Sequence, residues 1–426
     1  MRRKLNIFFV CVVVCSPLFA QTVRIAIPAG PPAGRKVIWI LGADDRLSEY
    51  GGADFHLWMK SLSLPRDAPK HPENIAISRT GQVIYAELVP GTSLRRLWST
   101  NTYAHELTGG AEDTRPTQGG VIVTSATPAV FFSADGERLF WFENRLSVVQ
   151  RENQGDISQT GEFLSWTSDL TGRDPKPLVS FALPPCKCGT GACEETCPII
   201  DPWAPDTGIS DFFFLTRWTP GQTSPDYLET DLYQAENGVW KENKLPQPVY
   251  EFLDATAHGN TYIIAIPGAG CCGWENESDD VTYVIRGRKR NMLFDELARF
   301  HNKDYDVSFF TSTALFSPDA TEVAYTITAS SKPGQAIRLA DEGKNNLEEL
   351  RQIQGALGEL PRVEVVQLTE PSKPRFSLAN TELVGWLDAQ RLLVWQHGQL
   401  FVINAANGQS TPTGLKAEKA AYIFIR

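Results

Sequence analysis

One short pattern recurs along the chain and limits what it can fold into. Apolar residues lead into a tight polar turn, and a strand of alternating apolar and aromatic residues follows that turn. The clearest copies read IAISRTGQVIYAE from Ile75, AVFFSADGERLFWFE from Ala129 and ALFSPDATEVAYTI from Ala314. Weaker copies begin at Pro205, Asp254 and Leu383. A repeat of this kind predicts a series of similar antiparallel sheets.

The turn residues explain why each copy is expected to form a hairpin. In the SADG turn at 133–136, the Ser and Asp side chains can accept hydrogen bonds from nearby backbone N–H groups. Gly136 can adopt a positive φ at no steric cost, whereas Ala320 occupies the matching position of the SPDA turn. Aromatic and β-branched residues dominate the strand that follows, as packing within a sheet favours.

The spacing of the turns predicts the architecture. Consecutive turns lie 51 to 72 residues apart, near Gly81, Gly136, Gly208, Gly259, Ala320 and Ala389. A four-stranded propeller blade needs roughly 40 to 50 residues, so the excess belongs to loops. The sequence therefore predicts an all-β fold, a six-bladed β-propeller that forms a single domain over residues 21–426. The turns near Gly208 and Gly259 lack the Ser-x-Asp core, which leaves room for a seventh blade.

Two of these stretches, FSADGERLFWF and FSPDATEVAYT, resemble the repeats of TolB-type propellers. Those are six-bladed periplasmic or extracellular domains of bacteria. The resemblance covers five or six short segments and implies a fold. It implies no single function, because such blades occur in translocation accessory proteins and in peptidase propeller domains.

Other segments complete the predicted domain. RKVIWIL at 35–41 and AAYIFIR at 420–426 read as short strands, and pairing the two ends of the chain would hide exposed sheet edges. Short helical insertions are expected from Arg290, with Leu293, Leu297 and Phe300 at helical spacing, and from Lys344. Both helices are expected to pack on the rim of the propeller.

The N-terminus has the features of a secretory signal peptide over residues 1–20. Three cationic residues precede an apolar run of about ten residues, which is too short to span a bilayer, and Ala20 offers a small residue for cleavage. Lipidation of Cys15 is disfavoured because Val14 precedes it. We expect a periplasmic or secreted protein with no membrane span in the mature chain, and we expect a monomer.

Charge narrows the range of partners. The chain carries a formal net charge of −10, and loss of the three N-terminal cations makes it more acidic. Such a surface repels phosphate backbones, so the sequence predicts no nucleic-acid partner. An unknown protein or a carbohydrate fits this composition better.

Six cysteines remain after removal of the signal peptide, and an even number in an exported protein indicates disulfides. They are Cys186, Cys188, Cys193, Cys197, Cys271 and Cys272. Four of them fall in a proline- and glycine-rich insertion expected around residues 184–206. The adjacent pair either reaches back to this insertion or forms a strained vicinal ring. A metal site is disfavoured because the spacing matches neither zinc knuckles nor iron–sulfur motifs, and no metal or cofactor is predicted.

Tryptophans and carboxylates near the cysteines suggest a ligand-binding face. Aromatic rings flanked by acids have the composition of a surface that stacks sugars or binds cations, although the same tryptophans could simply pack loops onto the sheets. The ligand-face candidates are Trp203, Trp274, Asp201, Asp206, Glu275 and Glu277.

No catalytic motif is found in the sequence, which has no Gly-x-Ser-x-Gly elbow, His-Glu-x-x-His or phosphate loop. We therefore expect a non-catalytic binding or scaffolding module rather than an enzyme. The alternative is a carbohydrate-active hydrolase or lyase that uses carboxylates in the central funnel, because linear sequence cannot exclude a carboxylate pair among 50 acidic residues.

Overall fold

The computed structural model describes much of the chain after residue 36. The described ranges are 37–41, 47–52, 55–62, 73–78, 82–88, 95–99, 105–106, 121–150, 157–172, 175–188, 199–205, 208–218, 229–245, 249, 251–266, 280–301, 305, 307–331, 347–416 and 422–425. Within them the chain is almost entirely β-structure, with two α-helices, α1 (Glu296–Phe300) and α2 (Leu347–Gly358). The predicted signal peptide, residues 1–20, lies outside these ranges.

The described strands form seven four-stranded sheets. The first contains β1 (Val37–Leu41), β2 (Leu47–Gly52), β3 (Phe55–Leu62) and β28 (Tyr422–Ile425). The second contains β4 (Glu73–Ile77), β5 (Val83–Leu88), β6 (Arg95–Ser99) and β7 (His105–Glu106). The third contains β8 (Val121–Phe132), β9 (Arg138–Gln150), β10 (Ile157–Asp169) and β11 (Lys176–Cys188).

The remaining four sheets follow in chain order. The fourth contains β12 (Ile199–Trp203), β13 (Phe212–Trp218), β14 (Glu229–Glu236) and β15 (Val239–Lys244). The fifth contains β16 (Glu251–Ala255), β17 (Thr261–Ile266), β18 (Val281–Arg286) and β19 (Lys289–Asp295). The sixth contains β20 (Phe309–Phe316), β21 (Glu322–Ala329), β22 (Arg362–Gln367) and β23 (Pro374–Leu378). The seventh contains β24 (Glu382–Asp388), β25 (Arg391–Gln396), β26 (Gln399–Asn404) and β27 (Ser410–Lys416).

The first sheet joins the two ends of the chain. Its strand β28 pairs antiparallel with β1, with Ile38 opposite Ile425 and Leu41 opposite Tyr422. Strand β1 also runs parallel to β3, whereas the other six sheets are antiparallel meanders. The expected pairing of the terminal strands is thus observed, and β28 also lies next to β24 of the seventh sheet.

The first sheet explains why the sequence shows six recurring turns whereas the structure has seven described sheets. The recognisable turn connects the first two strands of a sheet, as in β8 to β9. In the first sheet the corresponding strands are β28 and β1, which come from opposite ends of the chain. No turn can join them, so counting turns gives one sheet too few.

Aromatic and aliphatic side chains fill the spaces between successive sheets from the second to the seventh. Because alternate residues of a strand point to opposite faces, neighbours in β13 serve different interfaces. Phe213 packs on Phe142 of the third sheet at 5.2 Å between ring centroids, and Phe214 packs on Phe252 of the fifth at 4.2 Å. Similar clusters join the second sheet to the third, the fifth to the sixth and the sixth to the seventh. This serial packing of four-stranded sheets is consistent with a β-propeller.

The turns form as their residues predict. The Ser133 hydroxyl accepts a hydrogen bond from the Arg138 N–H at 2.9 Å, and the Ser317 hydroxyl accepts one from the Glu322 N–H at 3.0 Å. Ser317 in turn donates to Asp319 at 2.6 Å. Each of these turns is therefore held by side chains as well as by backbone hydrogen bonds.

The helical insertions are only partly as expected. The helix predicted from Arg290 is confined to α1, and Leu293 belongs instead to β19, where it is buried. Strand pairing with β18 takes the first half of that pattern. Helix α2 matches its prediction more closely, because Ile353 and Leu357 are buried against the sixth sheet.

Strands occupy both sides of the insertion that was expected around residues 184–206. Strand β11 continues through Pro184 and Pro185 to Cys188, and β12 begins at Ile199. Proline was expected to end a regular strand here. Both prolines are tolerated because they fall at a register shift of the β10–β11 pairing, where neither has a partner in β10, and because β11 is the edge strand of its sheet. Residues 189–198 lie outside the described residues.

Candidate functional site

Only part of the predicted ligand face falls within the described residues. Asp201 and Trp203 lie in β12, and together they are called the β12 surface below. The other candidates of that face lie outside the described residues, namely Asp206, Trp274, Glu275 and Glu277. Whether these six residues share one face stays a prediction.

The same holds for most of the cysteines. Cys193, Cys197, Cys271 and Cys272 lie outside the described residues. Cys186 and Cys188 lie in β11, opposite Gln159 and Ile157 of β10. The disulfide assignment therefore stays a prediction.

Trp203 is held between two sheets. Its ring stacks on Phe252 at 5.1 Å between centroids, with an interplanar angle of 29°, and lies 5.8 Å from the ring of Phe214. It is half-buried, so part of the indole reaches the surface. Trp203 therefore packs between β-strands, as one of the two sequence interpretations proposed. The same contacts hold the exposed part of its ring in a fixed position.

Asp201 precedes Trp203 by two residues and therefore shares its face of β12. Its side chain is exposed, and it lies opposite Thr216, which is buried. Thr216 and Thr230 are within 3.3 Å through their hydroxyl oxygens. Although Asp201 keeps contact with solvent, nearby protein atoms partly desolvate its carboxyl, and this desolvation raises its pKa above the usual value.

A second carboxyl with similar properties lies in the next sheet. Glu251 opens β16, the strand at the same position of the fifth sheet as β12 holds in the fourth. Burial, and next the negative charge of Asp280, raise the pKa of Glu251. Sequence reasoning missed this residue because nothing in its flanking residues distinguishes it from the other acids.

The most buried ionic cluster lies in the sixth sheet. Glu364 of β22 is only 1% exposed. Its carboxylate accepts a hydrogen bond from the Tyr325 hydroxyl at 2.6 Å and another from the Arg299 guanidinium of α1. The Nε atom of Arg362 lies 3.1 Å from the same carboxylate. Burial of the phenol and then the charge of Glu364 raise the pKa of Tyr325.

A cavity of about 330 Å³ opens beside this cluster, between α1 and α2. Both guanidinium groups lie 5.9 Å from the centre of the Phe300 ring. The cavity is called the arginine cavity below, and it is lined by Arg299, Phe300, Gln352, Ala356, Glu359 and Arg362. Helical spacing in the sequence indicated both helices, but it gave no sign that Arg299 of α1 and Arg362 of β22 meet over one carboxylate.

Two further searches cover the described part of the chain only. No group of three or more His, Cys, Asp or Glu side chains there is placed to hold a metal ion. No helix within the same residues is long and apolar enough to cross a membrane.

Comparison with known proteins gives distant structural similarity alone. No protein-family model and no curated protein matches the sequence. The WD40 domain of SCAP from fission yeast is 10% identical, with 84% of this chain and 77% of that chain covered and a TM-score of 0.28. Dipeptidyl peptidase 4 of Porphyromonas gingivalis is 10% identical over 82% of this chain and 52% of that chain, with a TM-score of 0.31.

A third similar structure is the GH74 xyloglucanase of Xanthomonas campestris. It is 10% identical over 82% of this chain and 50% of that chain, with a TM-score of 0.19. One of the three is a WD40 domain and two are named as enzymes. At these scores they assign no function to this chain, and the resemblance to TolB-type repeats stays a prediction.

Proposed function

We propose that this chain is an exported β-propeller that binds a protein or glycan partner and catalyses no reaction. In this proposal the sheets are the blades of a TolB-like ring, the signal peptide 1–20 is removed on export, and the mature protein acts in the periplasm or outside the cell. The β12 surface forms part of the binding face, together with the neighbouring loops that carry the cysteines.

The observation that carries this proposal is the arrangement of Trp203 and Asp201. An indole that is fixed against Phe214 and Phe252 loses little conformational entropy when a ligand stacks on its exposed part. A carboxylate on the same face can accept hydrogen bonds from ligand hydroxyl groups. Aromatic stacking combined with a few placed polar groups is a common way to bind a sugar.

The other buried carboxylates support a structural use of acids in this fold. Glu296 accepts hydrogen bonds from the backbone N–H groups of Phe309 and Asp280, at 2.6 and 3.0 Å. Glu322 pairs with Arg375 at 2.6 Å. Both carboxylates join neighbouring segments of the sheets, which favours a scaffold over a catalytic centre.

A glycan-binding assay tests the proposal. We expect the purified mature protein to be retarded by a polysaccharide in a panel run by affinity electrophoresis. Trp203→Phe and Asp201→Asn should each weaken that binding by about tenfold, the cost of roughly 1.4 kcal/mol.

Trp240→Phe is the matched control. Trp240 is also half-buried, at 4.8 Å from the ring of Phe213, but it lies in the outer strand β15. Equal binding by all three variants and the wild type would place the binding face elsewhere. Retardation by no polysaccharide would remove the glycan as partner and leave the protein partner to be sought by cross-linking from the β12 surface.

One observation favours a second candidate function, a carbohydrate-active hydrolase or lyase. Asp201 and Glu251 lie in matching strands of neighbouring sheets, and desolvation raises the pKa of both carboxyls, which is the direction that a general acid requires. This candidate predicts release of reducing ends or unsaturated sugars from a polysaccharide. It also predicts loss of that activity in Asp201→Asn and Glu251→Gln, with unchanged thermal stability. Absence of product with every polysaccharide that the protein binds would exclude it.

A further inference from the structure

The arginine cavity contains its own indication of a ligand. The carboxylate of Glu359 lies 3.1 Å from Nη1 of Arg362 at the edge of the cavity. The Glu359 side chain is 57% exposed, so it is free of the close packing that fixes Glu364. A carboxylate from the protein itself therefore already occupies the place that a bound carboxylate would take.

The chemistry of the lining suits an organic anion. A guanidinium carries five N–H donors in one plane and matches a carboxylate with two parallel hydrogen bonds. The contacts of Arg362 to Glu359 and Glu364 use only part of that set. Phe300 and Ala356 add apolar surface, and Gln352 adds an amide that can donate and accept.

Charge limits the ligand to a single carboxylate. Arg299 and Arg362 contribute two positive charges, and the buried Glu364 balances one of them. When Glu359 swings into solvent, one positive charge remains without a counterion in a partly desolvated site. A monocarboxylate restores neutrality, whereas a dianion would leave an excess charge to be desolvated.

We propose that the arginine cavity binds a small organic monocarboxylate, which displaces the side chain of Glu359 from Arg362. The volume of about 330 Å³ lies at the lower end of the range for small-molecule sites. This site is separate from the β12 surface and does not depend on the function proposed for it. Its ligand would be a metabolite or a regulator that binds between α1 and α2.

Ligand-observed fluorine NMR on the full mature chain tests this proposal, with 4-fluorobenzoate as the probe and 4-fluorobenzamide as its neutral counterpart. We expect line broadening of the benzoate but not of the benzamide. Glu359→Gln should tighten binding at least threefold, because it removes the competing carboxylate. Arg362→Lys should weaken binding about tenfold, because a lysine cannot form the paired hydrogen bonds.

Glu348→Gln is the matched control, since Glu348 is an exposed acid of α2, the helix that ends one residue before Glu359, and it pairs with a different arginine, Arg351, at 3.7 Å. It should leave the benzoate affinity unchanged. Three results would overturn the proposal: equal affinity in wild type and Glu359→Gln, equal broadening of benzamide and benzoate, or displacement of the probe by inorganic phosphate at the same concentration as by acetate. Because Glu359 is exposed and outside the core, the first result cannot be attributed to misfolding.

Discussion

Ala320 adopts a φ of 54°, a left-handed conformation that Gly136 takes at 74° in the equivalent turn. A residue with a Cβ atom pays roughly 1–2 kcal/mol to adopt this conformation, and glycine does not. Glycine offsets part of that advantage, because its unfolded state has more conformational entropy to lose on folding. We expect Ala320→Gly to raise the free energy of unfolding by about 0.5–1 kcal/mol. Gly136→Ala should lower it by about 1 kcal/mol. Urea denaturation measures both, and a shift of the same sign in the two variants would contradict this reading of the turns.

The aspartates of these turns predict a pH dependence of stability. Hydrogen bonds from Ser133 and Ser317 lower the pKa of Asp135 and Asp319, and backbone N–H groups add to the effect. A carboxyl with a depressed folded-state pKa stabilises the fold above its unfolded pKa of about 4, and the stabilisation is lost as the pH falls through the folded value. Acid should therefore weaken both turns.

We expect the stability of the double variant Asp135→Asn and Asp319→Asn to fall less steeply than that of the wild type as the pH drops below about 4, because only the wild type loses the contribution of these carboxylates there. Glu137→Gln serves as the control, since it removes a neighbouring exposed carboxylate outside the Ser–Asp pairs. Thermal unfolding at a series of pH values measures the slope. Parallel curves for the wild type and the double variant would be evidence against a stabilising role of the ionised aspartates.

At the scale of elements, the cluster around Glu364 ties α1 to β21 and β22. Replacing the buried carboxylate removes the counterion of Arg299 and leaves Arg362 with Glu359 alone. Breaking a buried ion pair from one side typically costs several kcal/mol, and the partial exposure of Arg299 reduces that cost. We expect Glu364→Gln to lower the free energy of unfolding by about 3 kcal/mol, measured in urea. Glu348→Gln on the exposed face of α2 should change it by less than about 0.5 kcal/mol, and equal effects of the two would refute the role of Glu364.

The elements also show what could be predicted from sequence. Turns with a local signature, such as Ser133 with Asp135, are predictable because their hydrogen bonds form within a few residues. Contacts such as that of Arg299 with Glu364 join residues 65 positions apart, and no local pattern specifies them. The strand at Pro184 was missed for a related reason, since whether proline is tolerated depends on the edge position of β11 in the sheet. Of the predicted ligand face, Asp201 and Trp203 could be placed, whereas Glu251 carries no sequence signal.

At the scale of the whole molecule, the first sheet is the joint between the two ends of the chain. Strand β28 supplies backbone hydrogen bonds to β1 and lies next to β24 of the seventh sheet. We expect Ile423→Pro to lower the melting temperature and reduce the free energy of unfolding by about 2–3 kcal/mol, because proline fixes φ and removes a backbone N–H in the middle of a four-residue strand that pairs with β1 alone. Ile423→Val keeps the N–H and the β-branched side chain, and should cost less than about 1.5 kcal/mol. Equal effects would indicate that β28 contributes little through its backbone.

Hydrogen exchange of the full chain, followed by mass spectrometry of its peptides, tests most directly whether the sheets form a propeller closed by its terminal strands. A closed ring predicts that peptides covering β28 and β1 exchange slowly, together with those of β24. It also predicts that Ile423→Pro speeds exchange in all three strands at once. Exchange of the β28 peptide at the rate of an unstructured chain, while β24–β27 stay protected, would contradict closure of the ring at this sheet.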